Sequence, residues 1–207
     1  MADQFISREF VGRRRSPASH AERIPPGQYE TRDFPVLSAG PTPRLQLSEW
    51  SFSMHVGKTL LGKWNWREFQ DLEQTRLTVD IHCVTKWSKL DTVWEGVTID
   101  TLLAAAGLGS PPTAFVMAHS DGGYSTNVPT ADLVGGRAMI ATRFDAKPLE
   151  ATHGGPARLL VPHLYFWKSA KWVRGFEFIE VDQAGFWEGL GYHMYGDPWR
   201  EQRYGGD

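Results

Sequence analysis

Strict alternation of apolar and polar residues in several short segments is the feature that most constrains the fold. In "WSFSMHV" (residues 50–56) every second residue is apolar, and "RLTVDIHCV" (residues 76–84) has the same period of two. Successive side chains of a strand point to opposite faces of a sheet, so both segments predict half-buried strands. The second pattern places Cys83 on the inner face, at the end of its strand.

Further segments extend this pattern to most of the chain. Strands are predicted in residues 114–128, interrupted by a turn at "DGG", and in "RAMIATRF", "ARLLV" and "VRGFEFIEV". "NWREFQDLE" predicts a short helix because Asn65 precedes Glu68 by three residues, as in a capping box. "VTIDTLLAAAG" predicts a helix from a Thr98 cap to Gly107, and Thr130 is predicted to cap a helical turn. The predicted fold class is α+β, a strand-rich mixed domain with short helices.

Length and composition indicate one domain with an N-terminal extension. The chain has 207 residues, and residues 1–30 are polar, rich in proline and without periodicity. We therefore predict an extended N-terminal arm over residues 1–30 and a single domain over residues 31–207. Lys and Arg number 22 against 24 Asp and Glu, so no global basic field favours nucleic acid as a partner.

The sequence also gives expectations about a membrane span and about the cellular location of the protein. No apolar run approaches the roughly 18 residues of a membrane span. Residues 13–15 are a triple arginine, but the sequence that follows is polar and lacks the apolar region of an export signal. Cys83 is the single cysteine, so an intrachain disulfide is excluded, in agreement with a reducing compartment. We expect a cytoplasmic protein without a membrane span.

Cys83 is the first candidate for chemistry, and its pattern leaves two interpretations open. A lone cysteine on the apolar face of a strand is commonly a small buried hydrophobe. Alternatively its thiolate is a nucleophile or a ligand to a soft metal. His82 precedes it, but alternation along the strand points His82 to the other face, which argues against a simple Cys-His pair.

The stretch "HLYFWKSAKW" (residues 163–172) combines four large aromatic residues with two lysines. It could stack nucleic-acid bases, although the balanced charge argues against that. It could also be an ordinary strand and turn with lysines extending from an apolar rim. A third interpretation is a pocket for one planar anionic molecule, in which Arg158, Lys168 and Lys171 neutralise phosphate and Ser169 donates a hydrogen bond. The pattern alone leaves these three open.

Two segments together resemble the sulfite oxidase superfamily. "VDIHCVTKWSKLDTVWEGVTIDTLL" is similar to its cysteine segment, and "HGGPARLLVPHLYFWKSAKWVRGFEF" to its pterin-binding segment. The resemblance runs from about Phe34 to Tyr204 in the same order. The short, haem-free branch of sulfite oxidase-like oxidoreductases resembles this chain most, with "GFWEGLGYHMYGDPW" as a companion motif. The resemblance implies the sulfite oxidase molybdopterin-binding fold.

This resemblance implies a molybdenum-molybdopterin cofactor, no haem, and a defined set of contacts. Cys83 would be the only side chain bound to the metal, and residues 38–40 would lie near the cofactor. The implied cofactor contacts are polar or cationic side chains: Ser120, His153, Arg158, Lys168, Ser169 and Lys171. In the related methionine-sulfoxide reductase branch an asparagine takes the place of His153.

The resemblance further implies two-electron oxygen-atom transfer on a small oxo substrate, such as a sulfoxide, an N-oxide or a sulfite-like molecule. Sulfite oxidases have Asn-Arg after the cysteine, whereas residues 85–87 here are Thr-Lys-Trp, which disfavours sulfite itself. Tyr192 and His193 are the candidate catalytic contacts to substrate, through a hydrogen bond or a proton relay. The other interpretation of these two residues is a packed C-terminal loop.

The length of the chain bears on its partners. Without room for a haem or dimerisation domain, we expect a monomer that exchanges electrons with a separate electron-transfer protein. The alternative from a different class is a binding module that keeps this fold without redox catalysis and holds an anionic ligand or a protein partner.

Overall fold

A computed structural model describes residues 18–207, and within that range eleven strands form two mixed sheets accompanied by three short helices. The strands, in chain order, are β1 (Tyr29–Glu30), β2 (Ser51–Val56), β3 (Thr59–Asn65), β4 (Thr75–His82), β5 (Trp87–Thr98), β6 (Phe115–Ser120), β7 (Ser125–Pro129), β8 (Met139–Phe144), β9 (Lys147–Pro148), β10 (Arg158–Leu160) and β11 (Val173–Ile179). The helices are α1 (Ala18–Ala21), α2 (Trp66–Gln70) and α3 (Ile99–Ala105). None of these helices is long and apolar enough to span a membrane.

The long strand β5 organises the first sheet. It pairs antiparallel with β4 and β8 and parallel with β1, while β8 continues the sheet to β10 and β9. The second sheet has the order β3-β2-β11-β6-β7, with β11 parallel to β2 and antiparallel to β6. Strands from distant parts of the sequence are therefore neighbours, and the predicted α+β class, a strand-rich mixed domain with short helices, is confirmed.

The core follows the alternation seen in the sequence. Phe52 and Met54 of β2 are fully buried and share one apolar cluster with Leu159 of β10, so this cluster joins the two sheets. A second, smaller cluster contains Cys83 and Leu160. Because neighbouring side chains of a strand point to opposite faces, Leu159 enters the first cluster while Leu160 enters the second.

Two of the three predicted helix caps are confirmed. Asn65 and Glu68 form both hydrogen bonds of a capping box at α2, and the Thr98 side chain accepts a hydrogen bond from the Thr101 backbone at α3. The predicted cap at Thr130 is wrong. The residue before that short 3-10 turn is Pro129, and the Thr130 hydroxyl donates instead to the backbone oxygen of Thr113, 2.7 Å away.

Residues 18–30 contact the first sheet. β1 pairs with the start of β5, and the Arg23 guanidinium forms ion pairs with Asp80 and Asp91 at 2.5 and 2.6 Å. The predicted arm over residues 1–30 and domain over residues 31–207 stay predictions. The arginines at 13–15 lie outside the described residues.

Candidate active site

Cys83 lies directly after β4, in the tight turn that leads to β5. Its backbone N–H donates to the Trp87 carbonyl at 2.8 Å, and its carbonyl accepts from the Lys86 N–H at 2.9 Å. The Thr85 hydroxyl donates to the Cys83 sulfur at 3.1 Å. Sequence, turn and hydrogen bonds together hold the thiol in one place, with only 7% of the residue exposed.

His82 and Cys83 have different partners, as the alternation along the strand predicts. The His82 Nδ1 is 2.9 Å from the Ser88 hydroxyl, and burial lowers the pKa of this histidine to about 4. Burial also raises the pKa of the Cys83 thiol, while hydrogen bonding from Thr85 and the charge of Arg203 act in the opposite direction. A thiolate at Cys83 therefore depends on positive charge nearby.

Arg158 is a buried cation on the face of the first sheet that also packs against the Cys83 cluster. It is 1% exposed, and β10 presents it on the face that also carries Leu160 of the second cluster. Its guanidinium donates to the carbonyls of His153 at 2.7 Å and Ser169 at 2.6 Å, and it lies 4.0 Å above the Phe166 ring. Burial lowers the pKa of Arg158 to about 9. Within residues 20–207 it has no carboxylate partner.

Lys171 is a second cation, and the charge of Arg158 acts on it. Its ammonium donates to the carbonyls of Leu37 at 2.8 Å and Thr152 at 2.6 Å. Burial and the charge of Arg158 lower the pKa of Lys171 to about 7, and Cys83 acts electrostatically on both cations. Residues far apart in sequence thus meet around Cys83.

Gly154 permits this close approach. It has a φ of +107°, and a Cβ added there would lie 3.0 Å from the Lys171 backbone and 3.1 Å from the Arg158 side chain. A larger residue would be strained and would push the loop away from both cations. The neighbouring His153 ring stacks on Phe34 with centroids 3.9 Å apart. Burial, followed by the charges of Arg158 and Lys171, lowers the pKa of His153 to about 4.

Lys168, the other lysine of the "HLYFWKSAKW" stretch, has different partners. Its ammonium is fully buried and lies 2.6 Å from the Glu188 carboxylate. It also donates to the Asn127 carbonyl and side chain and to the Met194 carbonyl, at 2.6 to 2.9 Å. Among residues 20–207 the two lysines share no hydrogen-bond partner, and Glu188 neutralises the charge of Lys168 inside the protein.

Several buried polar atoms near these residues lack a hydrogen-bond partner in the described part of the chain. They are Ser38 Oγ, Ser120 Oγ, Arg158 Nε and Arg203 Nη2. The Ser169 hydroxyl accepts from the Val161 N–H at 2.9 Å and keeps its own proton for another acceptor. Since buried polar atoms are almost always paired, this concentration is typical of a ligand site.

Tyr192 and His193 lie in the C-terminal segment, where both have packing contacts. The Tyr192 ring packs on Trp167, Trp187 and Tyr204, with centroids 5.1 to 5.5 Å apart. The His193 Nδ1 accepts from the backbone N–H groups two and three residues further on, at 3.0 and 3.1 Å. Burial, followed by the charges of Tyr204 and Cys83, raises the pKa of Tyr192.

Sequence reasoning missed two residues beside Cys83. The Gln28 side chain donates to the Cys83 carbonyl at 3.1 Å and accepts from the Ser88 hydroxyl at 3.2 Å. Arg203 donates to the Val84 carbonyl at 2.9 Å. Both reach the cysteine from more than fifty positions away, and no local pattern marks either of them.

Comparison with known proteins shows the family of the chain. Residues 39–187 match the family model described as the oxidoreductase molybdopterin binding domain. The uncharacterized oxidoreductase YuiH of Bacillus subtilis is 38% identical over 94% of this chain and 98% of its own length. YedZ1 of Azospira oryzae, whose name describes a protein-methionine-sulfoxide reductase subunit, is 26% identical over 84% of this chain and 66% of its own length.

The fold has a counterpart among solved structures. The sulfane dehydrogenase SoxCD of Paracoccus pantotrophus superimposes with a TM-score of 0.57 at 19% identity, over 69% of this chain and 41% of the SoxCD chain. Fold, site and family model together define a molybdopterin oxidoreductase. The chain belongs to the oxidoreductase molybdopterin-binding domain family, which confirms the resemblance to a molybdopterin-binding domain seen in the sequence.

Proposed function

We propose that Cys83 is the protein ligand to molybdenum and that the cations beside it hold the pterin phosphate. One observation carries this proposal: Arg158 and Lys171 are a buried and a half-buried cation on which the charge of Cys83 acts, and neither pairs with a carboxylate in the described residues. Burying a charge without a counter-ion is unfavourable, so an anion from outside the chain would stabilise this arrangement.

The remaining residues fit such a cofactor. The partnerless Ser38 and Ser120 hydroxyls and Arg158 Nε would hydrogen-bond to its polar edge or phosphate. Ser169 and Lys171 extend the phosphate contacts. His153, kept neutral at pH 7 by its lowered pKa, would contribute a hydrogen bond without charge.

Lys168 takes a different part in this proposal. Because Glu188 already neutralises it, Lys168 would fix the turn that carries Ser169 and Lys171 rather than contact phosphate. The resemblance to the family implied Lys168 as a contact to the pterin phosphate. The present proposal assigns it a structural role instead.

When bound, the molybdenum cofactor supplies two-electron oxygen-atom transfer to or from a small oxo substrate. Tyr192 and His193 would contact that substrate; the influence of the Cys83 charge on the pKa of Tyr192 supports this for Tyr192. The name of the YedZ1 relative supports a sulfoxide or related oxo compound as the substrate class. A separate electron-transfer protein would deliver or remove the electrons. The monomeric state, the lack of haem, the absence of a nucleic-acid partner and the cytoplasmic location stay predictions.

Metal and pterin analysis tests this proposal. Protein produced in a host that makes molybdopterin should contain one molybdenum and one pterin per chain. Cys83→Ala should remove the thiolate-to-metal absorption band and turnover, while the far-ultraviolet circular dichroism stays that of the wild type. Arg67→Gln, on the exposed side of α2, is the matched surface control and should keep band and turnover. Wild-type protein without molybdenum, or Cys83→Ala with an unchanged band, would contradict the proposal.

A further inference from the structure

A short stretch of the N-terminal segment runs along the turn that contains Cys83. Residues 23–31 form a strap on the β4–β5 hairpin. At one end the Arg23 guanidinium pairs with one carboxylate from each strand, Asp80 and Asp91. At the other end β1 pairs in parallel with the start of β5. The strap is therefore attached to both strands of the hairpin whose turn carries the cysteine.

The turn itself contains a residue with an uncommon backbone conformation. Lys86 has a φ of +78°, in the left-handed region that residues other than glycine rarely adopt. Its N–H donates to the Cys83 carbonyl, and its own carbonyl accepts from the Tyr29 N–H of the strap, both at 2.9 Å. Because a lysine is strained in this region, the surrounding structure must hold the turn in this form. The strap supplies one of the contacts that do so.

Gln28 is the strap residue whose side chain reaches the cysteine. It is half-buried, and its Nε2 donates to the Cys83 carbonyl at 3.1 Å. Its Oε1 accepts from the Ser88 hydroxyl at 3.2 Å, and that hydroxyl lies 2.9 Å from Nδ1 of the buried His82. The same amide hydrogen-bonds to the Tyr165 side chain. One glutamine thus links the cysteine to the residues on both sides of its turn.

We propose that the strap orients the metal ligand and that Gln28 is its positioning residue. This inference rests on the proposed bond between Cys83 and molybdenum. The Cys83 N–H is bonded to Trp87 and its carbonyl to Gln28, so both peptide planes beside its Cα are held. The direction of the Cα–Cβ bond, and with it the position of the sulfur, is thereby fixed. Groups that orient metal ligands in this way typically contribute about tenfold to a hundredfold to metal affinity or activity.

Alkylation of the cofactor-free protein with iodoacetamide at one fixed pH tests the strap without a metal. Gln28→Met keeps the approximate size of the side chain but removes its hydrogen bonds, so the turn should open more often. Cys83, which is 7% exposed, should then react roughly tenfold faster. Gln28→Glu can still accept from Ser88 but cannot donate to the Cys83 carbonyl, so it should react as fast as Gln28→Met.

Two further variants accompany this measurement. Gln46→Met is the matched control, because Gln46 is exposed and its side chain does not cap the turn that follows it; its alkylation rate should equal that of the wild type. Arg23→Gln releases the far end of the strap and leaves Gln28 in place. Since the Arg23 side chain is 38% exposed, Cys83 should react only about twofold to fivefold faster.

The molybdenum-loaded protein separates positioning from a merely structural role. Compared per bound molybdenum, Gln28→Met and Gln28→Glu should shift the thiolate-to-metal absorption band and lower turnover roughly tenfold to a hundredfold. Gln46→Met should keep the band and the turnover of the wild type.

Three results would overturn the inference. They are an unchanged alkylation rate in Gln28→Met, faster alkylation with the band and turnover of the wild type, and wild-type behaviour of Gln28→Glu, which would remove the bond to the Cys83 carbonyl from the explanation. Absence of molybdenum from the wild type would instead contradict the proposed function, and the alkylation rates would still show whether the strap holds Cys83.

Discussion

Two lysines three positions apart, Lys168 and Lys171, are surrounded by opposite environments. Lys168 has the Glu188 carboxylate at 2.6 Å and three further oxygen acceptors, all inside the protein. Within the described part of the chain, Lys171 and Arg158 have only carbonyl oxygens as acceptors, and the two cations repel each other.

The difference separates a structural charge from a functional one. A buried cation with its own carboxylate completes the fold, because the pair is neutral and fully hydrogen-bonded. A buried cation that has no carboxylate partner lowers the stability of the cofactor-free protein. Such cations are retained where an anion binds. The sequence motif does not show whether a lysine is structural or functional. The presence or absence of a carboxylate partner in the folded protein decides between the two roles.

The largest expected effect comes from breaking the structural pair. Glu188→Gln keeps the shape of the side chain but leaves Lys168 as an uncompensated buried charge, which should cost about 3–5 kcal/mol in the free energy of unfolding. Urea denaturation of the cofactor-free protein measures it. The double variant Lys168→Met with Glu188→Gln should lose less than Glu188→Gln alone. A loss below about 1 kcal/mol would show that the pair is not structural.

The second largest effect is expected for Arg158, whose replacement should weaken pterin binding more than it destabilises the fold. Arg158→Met removes a cation that lacks a carboxylate, so it should destabilise the cofactor-free protein less than Glu188→Gln does. Pterin retention should fall roughly tenfold to a hundredfold, because a charge-assisted contact to phosphate is lost. Pterin fluorescence after dialysis reports the change. Full pterin content in Arg158→Met would place the phosphate elsewhere.

The smallest effect is a pH dependence at His153. Its pKa in the fold is about 4, below the ordinary 6.5, so between these values the unfolded chain binds a proton that the fold does not. Stability should therefore fall as pH drops from 6.5 to 4, and His153→Asn should flatten that slope. Thermal unfolding of the cofactor-free protein at pH 7, 5.5 and 4.5 measures it. Equal slopes in both proteins would contradict burial of His153 among the cations.

Much of the fold and part of the site were predictable from local pattern. Alternation in residues 50–56 and 76–84 predicted β2 and β4, since burial of one sheet face imposes a period of two. The capping box of Asn65 and Glu68 was equally local. Thr130 was misread because its hydroxyl hydrogen-bonds across the structure to Thr113 rather than along its own turn.

The sequence by itself determined the chemical inventory: one cysteine at the inner end of a strand, one aromatic stretch with two lysines at residues 163–172, and two segments that resemble a molybdopterin-binding family. Tertiary structure alone decided which of these groups meet. It paired Lys168 with Glu188, left Arg158 and Lys171 without a carboxylate among the described residues, and brought Arg203 to the carbonyl of Val84 in the cysteine turn. The physical reason is that charge compensation and burial depend on distances between atoms that are remote in sequence, whereas a sequence pattern records only neighbours along the chain.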